Sequence, residues 1–342
     1  MTQHATRTEA QVRCGRIVKL DRGYPLVQTD DGTLLRCEHA TALVKGEKVR
    51  AVIGDDVIIE VPDGHDKGVI TSIGERRTQF VRRDPAERTT AQVLAANFDL
   101  VVIAEPLDAI NPKRLERELV LAHETGADVA VVLTKADLAP SLDEAAKVER
   151  FVSDLAGSDV RVLTISTQDP ASIESVRALT APDKIAVLIG KSGVGKSSLV
   201  NVLAGEEVQE TGAVRTRDGK GRHTTVSRSL VKVPGTGSVM DMPGIRGLGL
   251  WDAEDGLEAA FADIEEIAQE CKFRDCKHED EPGCAVRKAL EEGTIAQARL
   301  DSYLSLRTEA ERTNQKREEA RRLRGEKASD RKKARAGHRG RR

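Results

Sequence analysis

The sequence predicts a multidomain protein with an N-terminal β-barrel, a central α/β domain and a C-terminal α-helical segment. Three observations predict this division. Residues 11–74 alternate short apolar runs with turn residues, residues from 99 onward alternate strand-like and helix-like segments, and cysteines cluster near residue 276. At 342 residues the chain is also too long for one ordinary core, which favours two or three domains.

The first segment, residues 1–75, is predicted to be an OB-fold β-barrel. Strands are predicted at Gln11–Leu20, Tyr24–Thr29, Thr33–Glu38, Lys48–Ile53, Val57–Val61 and Gly68–Gly74. Such barrels often bind single-stranded nucleic acid by stacking bases on aromatic rings, but Tyr24 is the only aromatic residue before Phe80. Recognition of RNA through its backbone or shape and a purely structural or protein-docking role therefore both stay open.

A basic connector at residues 76–98 leads into the α/β domain, which is predicted to span residues 99–250. The connector is expected to end in a helix at about Thr90–Ala96. Strands are then predicted at Leu100–Ala104, Asp128–Leu133, Val160–Ile165 and Lys184–Ile189, and helices at Lys113–Glu124, Leu142–Leu155 and Ser172–Leu179. Alternation of this kind is typical of a doubly wound parallel sheet.

A phosphate-binding loop follows the last of these strands. The residues from Gly190 to Ser197 read G-K-S-G-V-G-K-S, which fits the pattern G-x-x-x-x-G-K-[ST] between a strand and a helix. Glycines let backbone N–H groups turn toward an anion, the lysine reaches the β and γ phosphates, and the serine holds Mg²⁺. The strand and helix on either side disfavour a chance glycine-rich turn. We expect nucleotide binding by Gly190, Lys191, Ser192, Gly193, Val194, Gly195, Lys196, Ser197 and Ser198.

Two other strand ends predict that the base is guanine. Thr134, Lys135, Ala136 and Asp137 follow a predicted strand and are close to the N-K-x-D motif of GTPases. The carboxylate of Asp137 can accept hydrogen bonds from N1 and N2 of guanine, which adenine cannot donate, so an ATPase is disfavoured. Ser166 follows the next strand, where GTPases place a small residue whose backbone N–H meets the guanine O6.

The switch segments are predicted downstream of the loop. Residues 205–228 are polar and contain G-R-H-T-T, so we expect Thr224 or Thr225 to close on Mg²⁺ and the γ-phosphate. The sequence D-M-P-G begins at Asp241, which is expected near Mg²⁺, and its last residue, Gly244, is expected to offer its N–H to the γ-phosphate.

The catalytic position after the second switch is unusual. Position 245 is Ile, where many GTPases carry the Gln that orients the attacking water, and a hydrophobic side chain cannot do this. His223, in the first switch, is the polar candidate for that task. A role in packing or hydrogen bonding within the switch stays open as the alternative.

The order of these motifs predicts a circular permutation. In ordinary GTPases the phosphate loop comes first and the guanine motifs come last. Here the guanine motifs, at residues 134–137 and 166, precede the phosphate loop at residue 190. The α/β domain is therefore predicted to be a circularly permuted P-loop GTPase that binds GTP and GDP with Mg²⁺.

The last folded segment, residues 251–311, is predicted to be helical and to bind zinc. Cys271, Cys276, His278 and Cys284 lie within fourteen positions, and three thiolates with one imidazole suit a closed tetrahedral Zn²⁺ site. One structural zinc is favoured over unligated free thiols. Helices are expected at Glu258–Gln269 and Ile295–Arg307, packed around the site.

Charge is distributed unevenly along the chain. Residues 312–342 carry fourteen Lys and Arg against four Asp and Glu, so this tail has a charge of +10 and the rest has −12. We expect the tail to be disordered and favour a polyanion such as nucleic acid as its partner, with a merely solvated end as the alternative. No apolar stretch is long enough for a membrane span or signal peptide, so we expect a cytoplasmic protein without a membrane partner.

Together these features resemble the ribosome small-subunit-dependent GTPase A family of bacteria. The features are the permuted order, G-R-H-T-T, D-x-P-G, the preceding barrel and the following Cys cluster, and the resemblance runs from about residue 11 to about residue 310. It also includes Q-V-L-A-A-N-F-D at 92–99. The chain departs from common GTPase motifs at Thr134, where Asn is usual, and at Met242, where Thr is more usual.

The resemblance implies a GTP hydrolase that is stimulated by the small ribosomal subunit and acts late in maturation of that subunit. It also implies that His223 is the catalytic replacement for the missing Gln. The expected partners are then GTP or GDP and the small subunit with its rRNA, bound by a monomeric protein. The alternative is a GTP-gated RNA-binding module in which hydrolysis is incidental, and turnover measured with and without subunits separates the two.

Overall fold

The computed structural model describes residues 11–21, 24–47, 49–62, 64–82, 92–208, 228–242, 250 and 253–339. These residues divide into two compact units. The first contains the described residues from 11 to 242, and the second contains those from 250 to 339.

Five strands close into a barrel at the start of the first unit. They are β1 (Gln11–Asp21), β2 (Tyr24–Thr29), β3 (Leu34–His39), β4 (Asp56–Val61) and β5 (Lys67–Ile73). Their order is β1-β2-β3-β5-β4, and β4 pairs back with β1, so the sheet closes on itself. Ile17, Val27, Ile59 and Ile70 fill its interior and are fully buried. The predicted OB-fold barrel is confirmed.

The prediction of a barrel strand at Lys48–Ile53 is wrong. Its described residues, 49–53, form an irregular segment with an isolated bridge between Ile53 and Ala95. The N–H of Ala51 donates to Nε2 of His39 (2.9 Å), and the N–H of Val52 donates to Oδ2 of Asp55 (2.7 Å). Side chains thus take the hydrogen bonds that a neighbouring strand would otherwise accept.

The connector forms a hairpin, and the helix predicted at about Thr90–Ala96 is wrong. Strands β6 (Gln79–Arg82) and β7 (Gln92–Ala96) are antiparallel. Ala95 and Ala96 are fully buried, and the N–H of Ala96 donates to the carbonyl oxygen of Ile53. Alanine favours a helix in isolation, but strand pairing and burial outweigh that weak preference here.

The α/β domain has one mixed sheet with helices beside it. Its strands are β8 (Leu100–Pro106), β9 (Asp128–Thr134), β10 (Arg161–Thr164), β11 (Ile185–Ile189), β12 (Arg228–Lys232) and β13 (Ser238–Asp241). Its helices are α1 (Pro112–His123), α2 (Leu142–Ala156), α3 (Pro170–Arg177) and α4 (Lys196–Ala204). The strand order is β10-β9-β8-β11-β13-β12, and only β12 is antiparallel to its neighbour in this part of the sheet. The predicted α/β fold is confirmed.

This strand order brings the motifs to one place. The carboxyl ends of β8, β9, β10, β11 and β13 meet at one edge of the sheet, because these strands are parallel. Buried apolar side chains such as Val102, Val132 and Leu188 fix the strands in this arrangement. The barrel extends the same sheet, since β1 pairs with β12 through Lys19 with Ser229 and Leu20 with Arg228.

The second unit is helical. Its helices are α5 (Glu254–Ala260), α6 (Ala262–Ala268), α7 (Ala285–Glu291) and α8 (Gln297–Arg339). The single helix predicted at Glu258–Gln269 is instead two short helices, separated at the fully buried Phe261. The ring of Phe261 meets Tyr303 of α8 edge-on, with centroids 5.4 Å apart. None of the helices in the described part of the chain is long and apolar enough to cross a membrane.

Helix α8 corrects the expectation of a disordered tail. The sequence predicts a helix that ends at Arg307 and disorder from residue 312, whereas α8 continues to Arg339. The residues beyond 312 are mostly Arg, Lys, Glu and Ala, which have high helix propensity and few packing requirements. Low hydrophobicity and high charge suggested disorder, but the same residues sustain a helix that begins on a packed segment.

Candidate nucleotide and metal sites

The phosphate-binding loop joins β11 to α4, and its glycines are needed where they stand. Gly190, Gly193 and Gly195 have φ angles of +133°, +85° and +102°, in the region that side chains disfavour. A Cβ on Gly190 would lie 2.3 Å from the carbonyl oxygen of Ala104, so any other residue would push the loop off β8. The glycines therefore let the loop turn tightly against the neighbouring strand.

The lysine of this loop lies at its centre. The ammonium of Lys196 donates hydrogen bonds to the carbonyl oxygens of Gly190 (2.9 Å) and Lys191 (3.1 Å). Lys196 is buried and begins α4, so its charge adds to the positive end of the helix. Lys191 and Ser192 are exposed on the loop, and Ser197 and Ser198 follow in the first turn of α4. This arrangement can bind a polyphosphate.

The two guanine motifs come together at the ends of β9 and β10. The hydroxyl of Ser166 donates to Oδ1 of Asp137 across 2.7 Å, and the N–H of Ala136 donates to the carbonyl oxygen of Ile165. Lys135 has a φ angle of +63°, which turns the chain sharply after β9. Asp137 is exposed, so its second oxygen can accept from a ligand.

Thr134 connects the guanine motif to the phosphate loop. Its buried hydroxyl lies 2.6 Å from the carbonyl oxygen of Val194 in the loop and 3.3 Å from that of Glu105 on β8. The short distance to Val194 identifies that carbonyl as the main acceptor. The sequence shows Thr134 only as a departure from Asn, and its position at the end of β9 could have suggested this link.

Asp241 and Ser197 are the two predicted magnesium ligands among the described residues. Asp241 ends β13, and the Ser197 side chain acts to lower the pKa of its carboxyl. Its Oδ1 is buried without a hydrogen-bond partner among the described residues, and burial raises the pKa of its carboxyl against the charge of Lys196. A hard cation beside an unpartnered carboxylate oxygen would resolve this cost, so the two residues fit Mg²⁺.

The other switch residues, His223, Thr224, Thr225 and Gly244, lie outside the described residues.

The structure adds a buried charge cluster that sequence reasoning missed. Glu105, at the end of β8, is fully buried, and Nε of Arg114 donates to its Oε1 across 2.9 Å. Glu118 is only 6% exposed, and burial together with the charge of Glu105 raises the pKa of its carboxyl. The spacing of Arg114 and Glu118 by four residues on one helix was the available signal, because it places both on one face.

The four predicted zinc ligands in the second unit form a compact cluster. One ligand atom from each of Cys271, Cys276, His278 and Cys284 lies within 4.8 Å of the others. Nδ1 of His278 is 3.5 Å from Sγ of Cys284 and 3.7 Å from Sγ of Cys271. Three sulfurs and one imidazole nitrogen at such distances could hold a metal ion at their centre.

Local structure explains how these ligands converge. Cys284 caps α7, since its Sγ accepts from the N–H of Arg287 at 3.4 Å. His278 has a φ angle of +63° and is buried, which turns its ring inward from the loop. Arg307 of α8 secures this loop by donating to the carbonyl oxygen of Lys277 across 2.7 Å.

Strand order, phosphate loop and guanine motifs define a circularly permuted P-loop GTPase. The family model described as RsgA GTPase matches residues 73–251, more than half of the chain. The chain therefore belongs to the RsgA GTPase family.

Relatives and solved structures agree with this assignment. The chain is 43% identical over 299 residues to the small ribosomal subunit biogenesis GTPase RsgA of Streptomyces coelicolor, which covers 87% of this chain and 80% of the relative. The crystal structure of YjeQ from Thermotoga maritima matches with a TM-score of 0.65 and 26% identity, over 86% of this chain and 97% of that one. YloQ, described as a circularly permuted GTPase, matches with a TM-score of 0.64 and 25% identity, over 91% of this chain and 98% of that one.

Proposed function

We propose that this protein hydrolyses GTP as a late-acting factor in maturation of the small ribosomal subunit, and that the subunit stimulates hydrolysis. The observation that carries the proposal is the meeting of Lys196, Asp137 and Asp241 at one edge of the sheet. These residues provide for phosphate, guanine and magnesium respectively. The Streptomyces relative, whose name assigns it to small-subunit biogenesis, supports the choice of partner.

Each sequence motif has a role in this proposal. Asp137 selects guanine and Lys135 lies along the base. Ser166 holds Asp137 through its hydroxyl, whereas the N–H of Ser166, which the sequence predicts to meet O6, donates to Oγ of Ser172 across 3.2 Å. The loop residues Gly190–Ser198 surround the phosphates. Ser197, Asp241 and Thr224 or Thr225 hold Mg²⁺, and Gly244 meets the γ-phosphate. The hydrogen bond from Ser166 to Asp137 supports the role of Asp137, and the buried, unpartnered Oδ1 of Asp241 supports its role as a ligand of Mg²⁺.

The proposed reaction transfers the γ-phosphoryl group of GTP to water. Bound Mg²⁺ would neutralise charge on the β and γ phosphates. Lys196 adds a fixed positive charge where the leaving phosphate becomes more negative, and its burial strengthens that effect. His223 orients the attacking water, since the hydrophobic side chain of Ile245 cannot take the role of the usual Gln.

We propose that the metal in the second unit is zinc and that its role is structural. The ligand set of three thiolates and one imidazole suits Zn²⁺, and four protein ligands leave no position for a substrate. Only His278 and Cys284 are buried within residues 271–284, and both are predicted ligands, so the metal would contribute much of the stability of this loop.

We further propose that the protein is monomeric and cytoplasmic. Its proposed segments are the barrel, the connector, the GTPase domain, the zinc-binding domain and the basic tail, at residues 1–75, 76–98, 99–250, 251–311 and 312–342. The +10 charge of residues 312–342 suits rRNA as a partner.

Binding to purified ribosomal subunits tests the choice of partner. The affinity of the full chain for small subunits is measured with GDP and with a non-hydrolysable GTP analogue, with large subunits as the matched control. We expect tighter binding with the analogue, by a factor of about 5 to 150 as is typical for coupled sites. Equal affinity for both kinds of subunit would contradict the proposed partner.

A further inference from the structure

A buried charge cluster lies directly behind the phosphate loop. Its members are Glu105 on β8, Arg114 and Glu118 on α1, and Lys196 at the start of α4. Both carboxylates are buried, at 0% and 6% exposure. Charges this deep must be neutralised by partners or by protons, because their desolvation is costly.

Two backbone contacts place this cluster against the loop. Gly190, the first residue of the loop, packs against the carbonyl oxygen of Ala104, which is the residue before Glu105. The hydroxyl of Thr134 lies between the carbonyl oxygens of Glu105 and Val194. A change of charge at Glu105 or Glu118 therefore occurs close to the loop that is proposed to bind the phosphates.

Arg114 binds the carboxylate of Glu105, and the carboxyl of Glu118 has fewer hydrogen bonds. Its guanidinium donates two hydrogen bonds to Glu105, from Nε to Oε1 across 2.9 Å and from Nη2 to Oε2. Glu118 lies one helical turn beyond Arg114 on the same face of α1, where the charge of Glu105 acts on its carboxyl. Its Oε2 has no hydrogen-bond partner among the described residues.

The charges around Glu118 determine when it holds that proton. Burial and the charge of Glu105 raise the pKa of Glu118 to about 7, while Arg114 and Lys196 act to lower it. A nucleotide bound at the loop adds several negative charges and engages the ammonium of Lys196. Both changes favour the neutral form of Glu118.

We propose that Glu118 is a proton-linked positioning residue: nucleotide binding at the loop draws a proton onto Glu118, which then donates to Glu105 behind the bound phosphates. The inference rests on the proposed nucleotide site at Lys196. It predicts that GDP and GTP bind more tightly as the pH falls through neutrality, because the proton removes a buried negative charge near the phosphates.

Calorimetry of GDP binding to the full chain tests this link. Titrations at pH 7.5 with Mg²⁺, in two buffers of different ionisation enthalpy, give the number of protons taken up per GDP. A rise of one unit in the pKa of Glu118, the low end of the effect of a nearby charge, corresponds to uptake of about 0.5 proton. The terminal phosphate of GDP also titrates near neutrality, but it contributes equally to every variant.

The decisive comparison is between wild type and Glu118→Gln, which resembles the protonated side chain. The variant should take up about 0.5 proton less per GDP. When the pH rises from 6 to 8.5, the GDP affinity of wild type should fall by up to about tenfold more than that of the variant. Glu116→Gln is the matched control, because it removes a buried carboxylate from the same helix two residues away, and it should match wild type.

The outcomes separate this inference from the proposed site. Wild type that binds no guanine nucleotide would overturn the nucleotide site itself. Binding with equal proton counts in wild type and Glu118→Gln would overturn only the link to Glu118. Infrared difference spectra of the unsubstituted protein give a second answer, independent of whether the variant folds: GDP should increase the carbonyl band of a protonated carboxyl, and an unchanged band contradicts the proposal.

Discussion

Ser166 donates its hydroxyl hydrogen to Oδ1 of Asp137 across 2.7 Å, although the two residues are 29 positions apart. The contact fixes one carboxylate oxygen at the junction of β9 and β10. That bond orients the carboxylate, so its Oδ2 can accept hydrogen bonds from a base. The proposed selection of guanine therefore depends on a geometry that two separate strand ends create together.

Asp137→Asn should weaken GTP binding and relax selection toward xanthine nucleotides. The amide presents donors where the carboxylate accepts two hydrogen bonds from guanine, and bonds to a charged group are each worth about 1.5 to 3 kcal/mol. Affinities for GDP, XDP and ADP measure the change. Ser166→Ala is the control, with a smaller loss and unchanged preference for guanine. Unaltered GDP affinity in Asp137→Asn would remove the guanine assignment.

Thr134→Ala should loosen the phosphate loop. It removes the hydroxyl that lies 2.6 Å from the carbonyl oxygen of Val194, and an unsatisfied buried acceptor costs about 1 to 3 kcal/mol. Denaturant unfolding should show that loss, and GDP affinity should fall with it. Thr134→Ser keeps the hydroxyl and should stay close to wild type. If Ala and Ser variants behaved alike, the hydroxyl would have no part in holding the loop.

Removal of the metal should unfold the second unit and leave guanine binding in place. Metal analysis of the purified chain should give one zinc per molecule, and Cys276→Ser should reduce that content, since one of four ligands is lost. Cys14→Ser is the matched control, because Cys14 is exposed and far from the cluster in sequence. A chain that is isolated without metal, and whose circular dichroism a chelator does not alter, would refute the zinc site.

The stability difference between wild type and Glu118→Gln should depend on pH. The pKa of Glu118 is raised from 4.5 to about 7, so the folded state binds more protons than the unfolded state between these values. Wild type therefore loses stability as the pH rises through this window, whereas the neutral variant does not. At pH 8.5 the variant should be more stable by roughly 3 kcal/mol, and at pH 4.5 the two should be nearly equal. A difference that is constant from pH 4.5 to pH 8.5 would refute the raised pKa.

The sequence predicts the motifs well because each depends on local chemistry. The positions of Gly190, Asp137 and Asp241 after strands follow from apolar runs with short motifs behind them, and the order of the motifs alone predicts the permutation. The sheet order then confirms the predicted α/β fold, since parallel neighbours put those strand ends side by side.

Features that depend on tertiary contacts escape the sequence. Ala95 and Ala96 favour a helix locally, and only pairing with β6 makes them a strand. Val49–Ile53 has the composition of a strand, but His39 and Asp55 take its hydrogen bonds. The spacing of Arg114 and Glu118 places both on one face of α1, but only the tertiary structure brings Glu105 to that face.

The rate of GTP hydrolysis at saturating GTP, with and without purified small ribosomal subunits, tests the central claim most directly. Subunits should raise the turnover of wild type. His223→Ala should lose about 10² or more of that stimulated rate while binding GTP nearly as well, because only the orientation of water is lost. Wild-type turnover that subunits leave unchanged would contradict the account and favour a GTP-gated RNA-binding module.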